Sequence, residues 1–303
     1  MKKIIYLLPV LSGILWGSVG IFVRILTGLG MDSFTVTSSR LAMAAVMMGI
    51  TILIYDKRLF RIRLKDLWIF VVGGLLGMLG VVLAYNEAIK QVTLSLAAVL
   101  LSMSPIFVLF FAAFLFHEKI TLKKTGCMVL ALCGCVLVSG VLEQSSGMKW
   151  TPVGIGFGIL AAFCYALYSL VGKAAMERGY HAFTMTFYCM AIIAVCLLPV
   201  TDWGCIRRIT VVGGIKMVIF MLIHALFASV FPYVFYTLSL NYIEAGKVSI
   251  LAAGEPVAAM IFGLVFFAEK PTVLAILGLV LTTSALVLLS MPKRKQESKR
   301  ERG

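Results

Sequence analysis

SLAAVLLSMSPIFVLFFAAFLFHEKIT, residues 95–121, returns as KVSILAAGEPVAAMIFGLVFFAEKPT, residues 247–272. Pro105, Phe116, Glu118, Lys119 and Thr121 fall opposite Pro256, Phe267, Glu269, Lys270 and Thr272, an offset of 151 in a chain of 303 residues. Tyr85/Tyr236, Leu100/Leu251 and Phe111/Phe262 complete the identities between 85–121 and 236–272. Earlier in each half the offset is 149: Phe34-Thr35-x-Thr37 matches Phe183-Thr184-x-Thr186, Trp16 falls opposite Tyr165, and Arg24 opposite Lys173. The chain reads as a duplication.

Both copies lie in sequence too apolar for a water-soluble domain. Hydrophobic residues make up 61% of the chain and charged residues 13%, against about 45–50% and about 25% in soluble domains. A helix needs about 20 apolar residues to cross the hydrocarbon core. Ten such runs are present: 4–27, 33–54, 67–87, 94–116 and 124–142 in the first half, then 152–172, 181–200, 214–238, 246–267 and 272–291. They lack the period-2 alternation of a barrel. Each half has five runs, an odd number, so the second copy must enter the membrane upside down. The expected fold is all-α and integral to the membrane: ten transmembrane helices in two inverted five-helix repeats. The expected divisions are 1–142, a linker 143–151, 152–291 and a basic tail 292–303.

The net charge of +14 is not a nucleic-acid signature, because the Lys and Arg cluster between and after the apolar runs. With both termini cytoplasmic, 19 of the 27 basic residues fall on the cytoplasmic side and 6 on the other, as the positive-inside rule requires. The start, MKKIIYLLPVL, has no A-x-A-like cleavage site and reads as a retained first span. Seven cysteines form no CxxC pair. Six lie in apolar runs, where thiols behave as small hydrophobes; Cys205 is read as a loop residue. A disulfide framework, a metal site and a cofactor are not expected.

On the two repeat cores, the mid-helix prolines (the second preceded by Glu255) and the Glu-Lys-x-Thr helix ends, the chain resembles the drug/metabolite transporter superfamily in its ten-helix form with two EamA domains. The resemblance spans almost the whole chain. It implies a permease that moves a small organic solute such as an amino acid or metabolite across the plasma membrane by alternating access, with export favoured over import. It also implies that the first and sixth helices line the cavity. Relatives carry amino acids, metabolites, amines or sugars, so the substrate stays open.

Glu255 is the sharpest candidate. It lies near the midplane, where a charge is costly and usually faces protein or water. A carboxyl there can couple solute movement to protons, or pair locally beside the proline. Its repeat mate is Ser104. His224, also near the midplane and opposite Gly73, reads as a relay partner of Glu255 or as a residue bonded to a neighbouring helix. Arg40 reads as an anchor for an anionic group, as a partner of a carboxylate, or as a side chain snorkelling outward; Arg24, nearer its helix end, reads as snorkelling. Trp16, Tyr165 and Tyr168 lie on paired helices and suit an amphipathic pocket. Tyr85 and Tyr236 suit such a pocket or an interfacial belt. Pro105, Pro256 and Pro232 interrupt helix hydrogen bonding and are hinge candidates. Gly73-x-x-x-Gly77 and Gly154-x-x-x-Gly158 read as close helix contacts. Glu118 and Glu269 read as helix-end caps or ion pairs.

No HExxH, GxSxG or GxxxxGK[ST] motif occurs, and Ala245-Gly246-Lys247-Val248 lacks the required flanking residues. An enzyme is therefore not expected. A membrane-embedded scramblase or an enzyme without a recognised motif is the alternative. The expected partners are a small-molecule solute, protons and the lipid bilayer, with no nucleic acid, and the chain is expected to function as a monomer.

Overall fold

Hydrocarbon offers no hydrogen-bond partner to a peptide group, so an apolar run that crosses it must close its own N–H···O=C bonds as a helix. A computed structural model describes residues 5–143, 151–268 and 270–291 of the chain; most of the linker, Glu269 and the basic tail lie outside the described residues. The first repeat contains α1 (Leu7–Gly28), α2 (Ser33–Tyr55), α3 (Leu64–Gln91), α4 (Leu94–Leu101 continued by Ser104–Phe116) and α5 (Leu122–Val138). The second contains α6 (Pro152–Glu177), α7 (Ala182–Val200), α8 (Trp203–Leu240), α9 (Ala245–Phe267) and α10 (Val273–Ser290). Among the described residues nine of these are long and apolar enough to cross a membrane. The tenth, α5, is a 17-residue helix at the short end of what spans a bilayer.

Side-chain caps mark where the helices begin. Asp32, Thr93, Thr121, Thr151, Asp202 and Thr272 each accept a backbone N–H from the first turn of the helix that follows, satisfying donors that the helix itself leaves open. Thr121 and Thr272 are repeat mates, so the Thr of the Glu-Lys-x-Thr cluster is an N-cap for the last helix of each half. Four positions earlier in sequence, the end of α4 and the end of α9 share another feature. His117 and Ala268, also repeat mates, both adopt a left-handed conformation at φ 53°.

The packing follows the duplication. α1 packs against α8 and α9, and its mate α6 packs against α3 and α4. α2 packs on α7, α4 on α9, and α5 on α10. Most of the principal contacts therefore cross between the halves. The α5–α10 seam is a backbone contact: a Cβ on Gly278 would sit 2.5 Å from the Gly134 carbonyl oxygen. Gly77 and Gly158 likewise admit the backbone of Tyr168 and the side chain of Leu100. α3 contains a π-helical stretch at Val72–Leu79, and α8 one at Leu226–Val230. At the 151-residue offset the second falls opposite 75–79, so both repeats widen the same turn.

One expectation is corrected. Residues 203–213, read as a loop holding Cys205, are helical up to a break at Gly214, where φ is 57°. Asp202 caps this segment by accepting from the Cys205 N–H at 2.8 Å. Cys205 and Ile209 are buried against Leu26, Met31, Val36 and Met221, while Arg207 and Arg208 are exposed.

The loops sort into two groups. The near end carries 56–66, 117–121, 178–181 and 241–244; the far end carries 29–32, 92–93 and 201–202. Cross-half hydrogen bonds tie each end: Thr184 to the Leu59 carbonyl at 2.8 Å at the near end, and Ser38 to Thr201 at 2.5 Å at the far end.

Replacing Gly278 by Val will separate α5 from α10 and lower stability by about 1–3 kcal/mol, the usual cost of overpacking. Gly20→Ala, where a Cβ meets nothing within 4 Å, is the neutral control; thermal unfolding in detergent reads both. Ala268→Gly will raise stability by about 1 kcal/mol in the same assay by relieving the left-handed residue.

Candidate functional site

The two helices that carry the repeat cores break at matching places. α4 stops at Leu101 and restarts at Ser104, and α9 stops at Ala252 and restarts at Glu255. Pro105 and Pro256 stand in the first turn of the restarted segment, where a missing N–H is no loss. The interruption thus lies just before each proline. Pro232 occupies the same kind of position, directly after the π-helical stretch of α8. The break in α9 sets Glu255 at a helix N-terminus, where the dipole favours a carboxylate. Ser104, its mate, holds the mirror position.

Glu255 and Ser104 face a common cavity of about 80 Å³, lined also by Tyr85, Ser102, Tyr165 and Ser249. A second cavity of about 210 Å³ shares Glu255, Tyr85 and Tyr165 and is lined further by Trp16, Arg40 and Tyr233. Thr37 and Asn86 line its flank. Thr37 and Arg40 lie in the part of α2 nearer the far end, and Asn86 in the last turns of α3 at that same end. The space therefore leads from the midplane toward the far end.

Arg40 is turned into this interior and does not snorkel. Its Nη1 donates to the Ala228 carbonyl of α8 at 3.5 Å, and its buried Nε has no partner among the described residues. Arg40 and Glu255 line one cavity without meeting within salt-bridge distance. The helix breaks, the π-helical stretch and the cavity thus bring a cation from the first repeat to a carboxyl from the second. Arg24 keeps to the periphery, its guanidinium 4.2 Å from the Phe267 ring centroid.

On the near side an aromatic cluster closes the cavity. Trp16 lies 5.8 Å from Tyr165, 5.1 Å from Tyr233 and 5.4 Å from Tyr236, ring centroid to centroid. Tyr168 meets Tyr233 edge to face at 5.3 Å. Two hydrogen bonds lock the cluster: Tyr168 with Thr237 at 2.8 Å and Tyr236 with Ser169 at 2.6 Å. Tyr236 is fully buried here and Tyr85 lines the cavity, so neither belongs to an interfacial belt. His224 is buried as well, but its ring stacks on Phe22 at 4.9 Å, and it lines neither cavity. The structure does not bring it together with Glu255. Tyr233, Asn86 and Thr37 are site residues that the sequence reading missed. For Tyr233 a signal existed, since it stands three residues before Tyr236 and so on the same helix face.

Below the aromatic cluster, ion pairs tie the halves at the near end. Glu118 accepts from the backbone N–H of Ala245 at 2.6 Å and of Gly246 at 3.2 Å, and so caps α9 from across the repeat boundary. Lys124, 2% exposed, lies 3.0 Å from Glu244 and donates to the Lys119 carbonyl at 2.8 Å. Asp66 accepts from Arg178 and from Tyr180, the latter at 2.8 Å. Burial alone would raise the Glu244 carboxyl, but the ammonium groups of Lys247 and Lys124 outweigh it and hold it below the ordinary carboxylate value.

Two five-helix repeats of opposite orientation, enclosing a polar cavity at broken helices, have the architecture of a membrane carrier. The sequence pattern of the EamA-like transporter family matches residues 3–140 and again 152–291, and the chain belongs to that family. An uncharacterized transporter of Archaeoglobus fulgidus is 26% identical over 261 residues, 86% of this chain and 88% of that protein. The pseudopaline exporter CntI of Pseudomonas aeruginosa is 25% identical over 235 residues, 74% of this chain and 75% of its own. The uncharacterized transporter YxxF of Bacillus subtilis is 23% identical over 202 residues, and the match spans 67% of this chain and 63% of that protein. A crystal structure of 15% identity aligns over 100% of both chains with a TM-score of 0.79, which is a likeness of fold.

The low value at Glu244 carries a pH dependence. Stability from this carboxylate is complete above its unfolded-state pKa of about 4.3 and is lost as pH falls through the lower folded value. Unfolding temperatures measured from pH 7 to pH 3 will fall on the acid side, and Glu244→Gln will flatten that limb.

Proposed function

We propose that the protein is a secondary carrier of the plasma membrane that moves a small zwitterionic organic solute, such as an amino acid or a metabolite of that kind, by alternating access. The observation that carries this reading is the cavity shared by Arg40 and Glu255. A guanidinium with a free donor suits a carboxylate of the solute, and Glu255 suits its ammonium group. Trp16, Tyr85, Tyr165 and Tyr233 supply faces for an apolar body or a cation. The cavity leads to the far end and is closed toward the near end. With both termini cytoplasmic, as the basic loops favour, this is the outward-facing arrangement.

Glu255 is the proton-carrying group in this reading. Protonation removes the carboxylate that holds the ammonium, so proton and solute compete for one site, which is the basis of exchange. Proton entry then drives solute export. The direction rests on the family resemblance and on a relative named an exporter. Pro105 and Pro256 mark the matched hinges, and the broken α4 and α9 are the segments that exchange conformations. His224 has no part in the proton path.

Reconstitution into liposomes with an imposed pH gradient and a panel of amino acids, amines and dyes tests this. Amino acids will move against their gradient when protons flow the other way. Glu255→Gln, a mimic of the protonated carboxyl, will bind solutes with an ammonium group more weakly and lose the response to the pH gradient. Arg40→Ala will raise KM for solutes with a carboxylate by about 10- to 100-fold, as the loss of a charged hydrogen bond requires, and will leave amines lacking a carboxylate unaffected. Flux indifferent to the gradient, or coupling retained in Glu255→Gln, removes the proton mechanism.

A further inference from the structure

Away from the central cavity, the near end carries a second pair of connected hollows. A groove of about 450 Å³ runs between α1 and α10, lined by Leu7, Val10, Leu286, Val287 and flanking residues. From Thr283 to Ser290 it extends about 10 Å along the helix axis. Its walls are almost wholly apolar, and Leu7 and Val287 are exposed. At its near end the groove shares Tyr6 and Met291 with a pocket of about 150 Å³. That pocket is lined by Lys119, Lys123, Lys124 and Lys247, with Glu244 as the one acid among its lining residues.

The chemistry changes sharply between the two hollows. Lys124 is buried and paired with Glu244, and Lys247 also reaches Glu244, at 2.6 Å. These contacts fix the floor of the pocket. Lys123 donates to the Met291 carbonyl at 2.7 Å and so stands at the junction with the groove. Lys119 is exposed. Glu118 lies 3.9 Å from Lys124 and, with Glu244, offsets two of the four ammonium groups, so two positive charges, at Lys119 and Lys123, remain in excess around a small pocket that opens onto an apolar channel. Basic pockets at the ends of transmembrane helices attract anionic headgroups, and a groove facing lipid is filled by acyl chain.

We propose that this joined groove and pocket is a binding site for one anionic phospholipid, with an acyl chain between α1 and α10 and the phosphate among Lys119, Lys123 and Lys247. The lipid bridges the first and last helices of the chain at the end where Lys124 and Glu118 tie the repeats. The cluster of Arg58, Arg61, Arg63 and Arg178 at the same end lines a pocket of about 300 Å³ without an apolar groove among its walls. It therefore serves as a control for general attraction to anionic headgroups.

The test uses the full chain purified in detergent, with phosphatidylglycerol, phosphatidylcholine and inorganic phosphate as probes. Native mass spectrometry counts bound lipid, and unfolding temperature reports its effect. One phosphatidylglycerol will be retained in preference to phosphatidylcholine and will raise the unfolding temperature. Lys119→Ala with Lys123→Ala will weaken retention by about thirtyfold, on the usual contribution of a basic residue at a lipid surface. Val287→Trp will fill the groove and weaken it without a change of charge. Arg58→Ala with Arg61→Ala will leave it unchanged. In the unsubstituted protein, lengthening the acyl chains from four to fourteen carbons will tighten binding, an arm that does not depend on any variant folding. Equal retention of phosphatidylcholine, the same stabilisation from inorganic phosphate, indifference to chain length, or an equal loss in the arginine variant would overturn the proposal.

Discussion

A peptide group in hydrocarbon must find its hydrogen-bond partner within the protein, and the places where this chain leaves regular helix are governed by that requirement. α4 and α9 break at their centres, and each break is repartnered locally. At the α4 break the Met103 N–H donates to the Leu100 carbonyl at 3.1 Å, and at the α9 break the Cys135 thiol lies 3.5 Å from the Ala253 carbonyl. Restarting each helix with Ser-Pro or Glu-Pro places the proline where no N–H is needed. The breaks are sustainable because they face other helices and a polar cavity. They put a half-helix N-terminus, with its carboxyl or hydroxyl, against that cavity.

Duplication supplies the matched parts of this arrangement, and divergence supplies its chemistry. The left-handed residues His117 and Ala268, the caps Thr121 and Thr272, and the widened turns of α3 and α8 occur in both halves. The cavity is unequal. Glu255 faces Ser104 across the symmetry, and Arg40 comes from the first repeat. Gly73 and His224 also differ, but for packing: Gly73 admits Met185, Cys189 and Val171, whereas His224 stacks on Phe22.

Most of the fold is written in hydropathy. The apolar runs, their odd number per half and the repeat offset lead to ten helices in two inverted sets, and the chain folds that way. The segment 203–213 escaped because Arg207, Arg208 and the Gly213-Gly214 pair lower its apolarity. Asp202, the residue that caps it, was visible. Direction within the bundle was harder to read. Helices apolar all round give no signal of which face looks inward, so Arg40 on α2 read as an anchor for an anionic group, as a partner of a carboxylate or as a snorkelling side chain. Only packing against α8 decides it. Tyr85 and Tyr236 were ambiguous for the same reason. Glu255 and Ser104 were legible because the repeat alignment sets them opposite each other beside matched prolines.

The cap that Glu118 places on α9 has a consequence for how the chain acquires its structure. The amides it satisfies belong to the other repeat, and the nearer of the two carboxylates paired with Lys124, Glu244, comes from there too. The first half, emerging alone during synthesis, holds Lys124 with Glu118 at 3.9 Å but without its nearer partner Glu244, and a glycine seam on α5 with nothing against it. The second half lacks the acceptor for the first turn of α9. Neither repeat is a self-sufficient folding unit, however complete its sequence pattern. The duplication is a unit of descent, and the unit of folding is the interlocked pair.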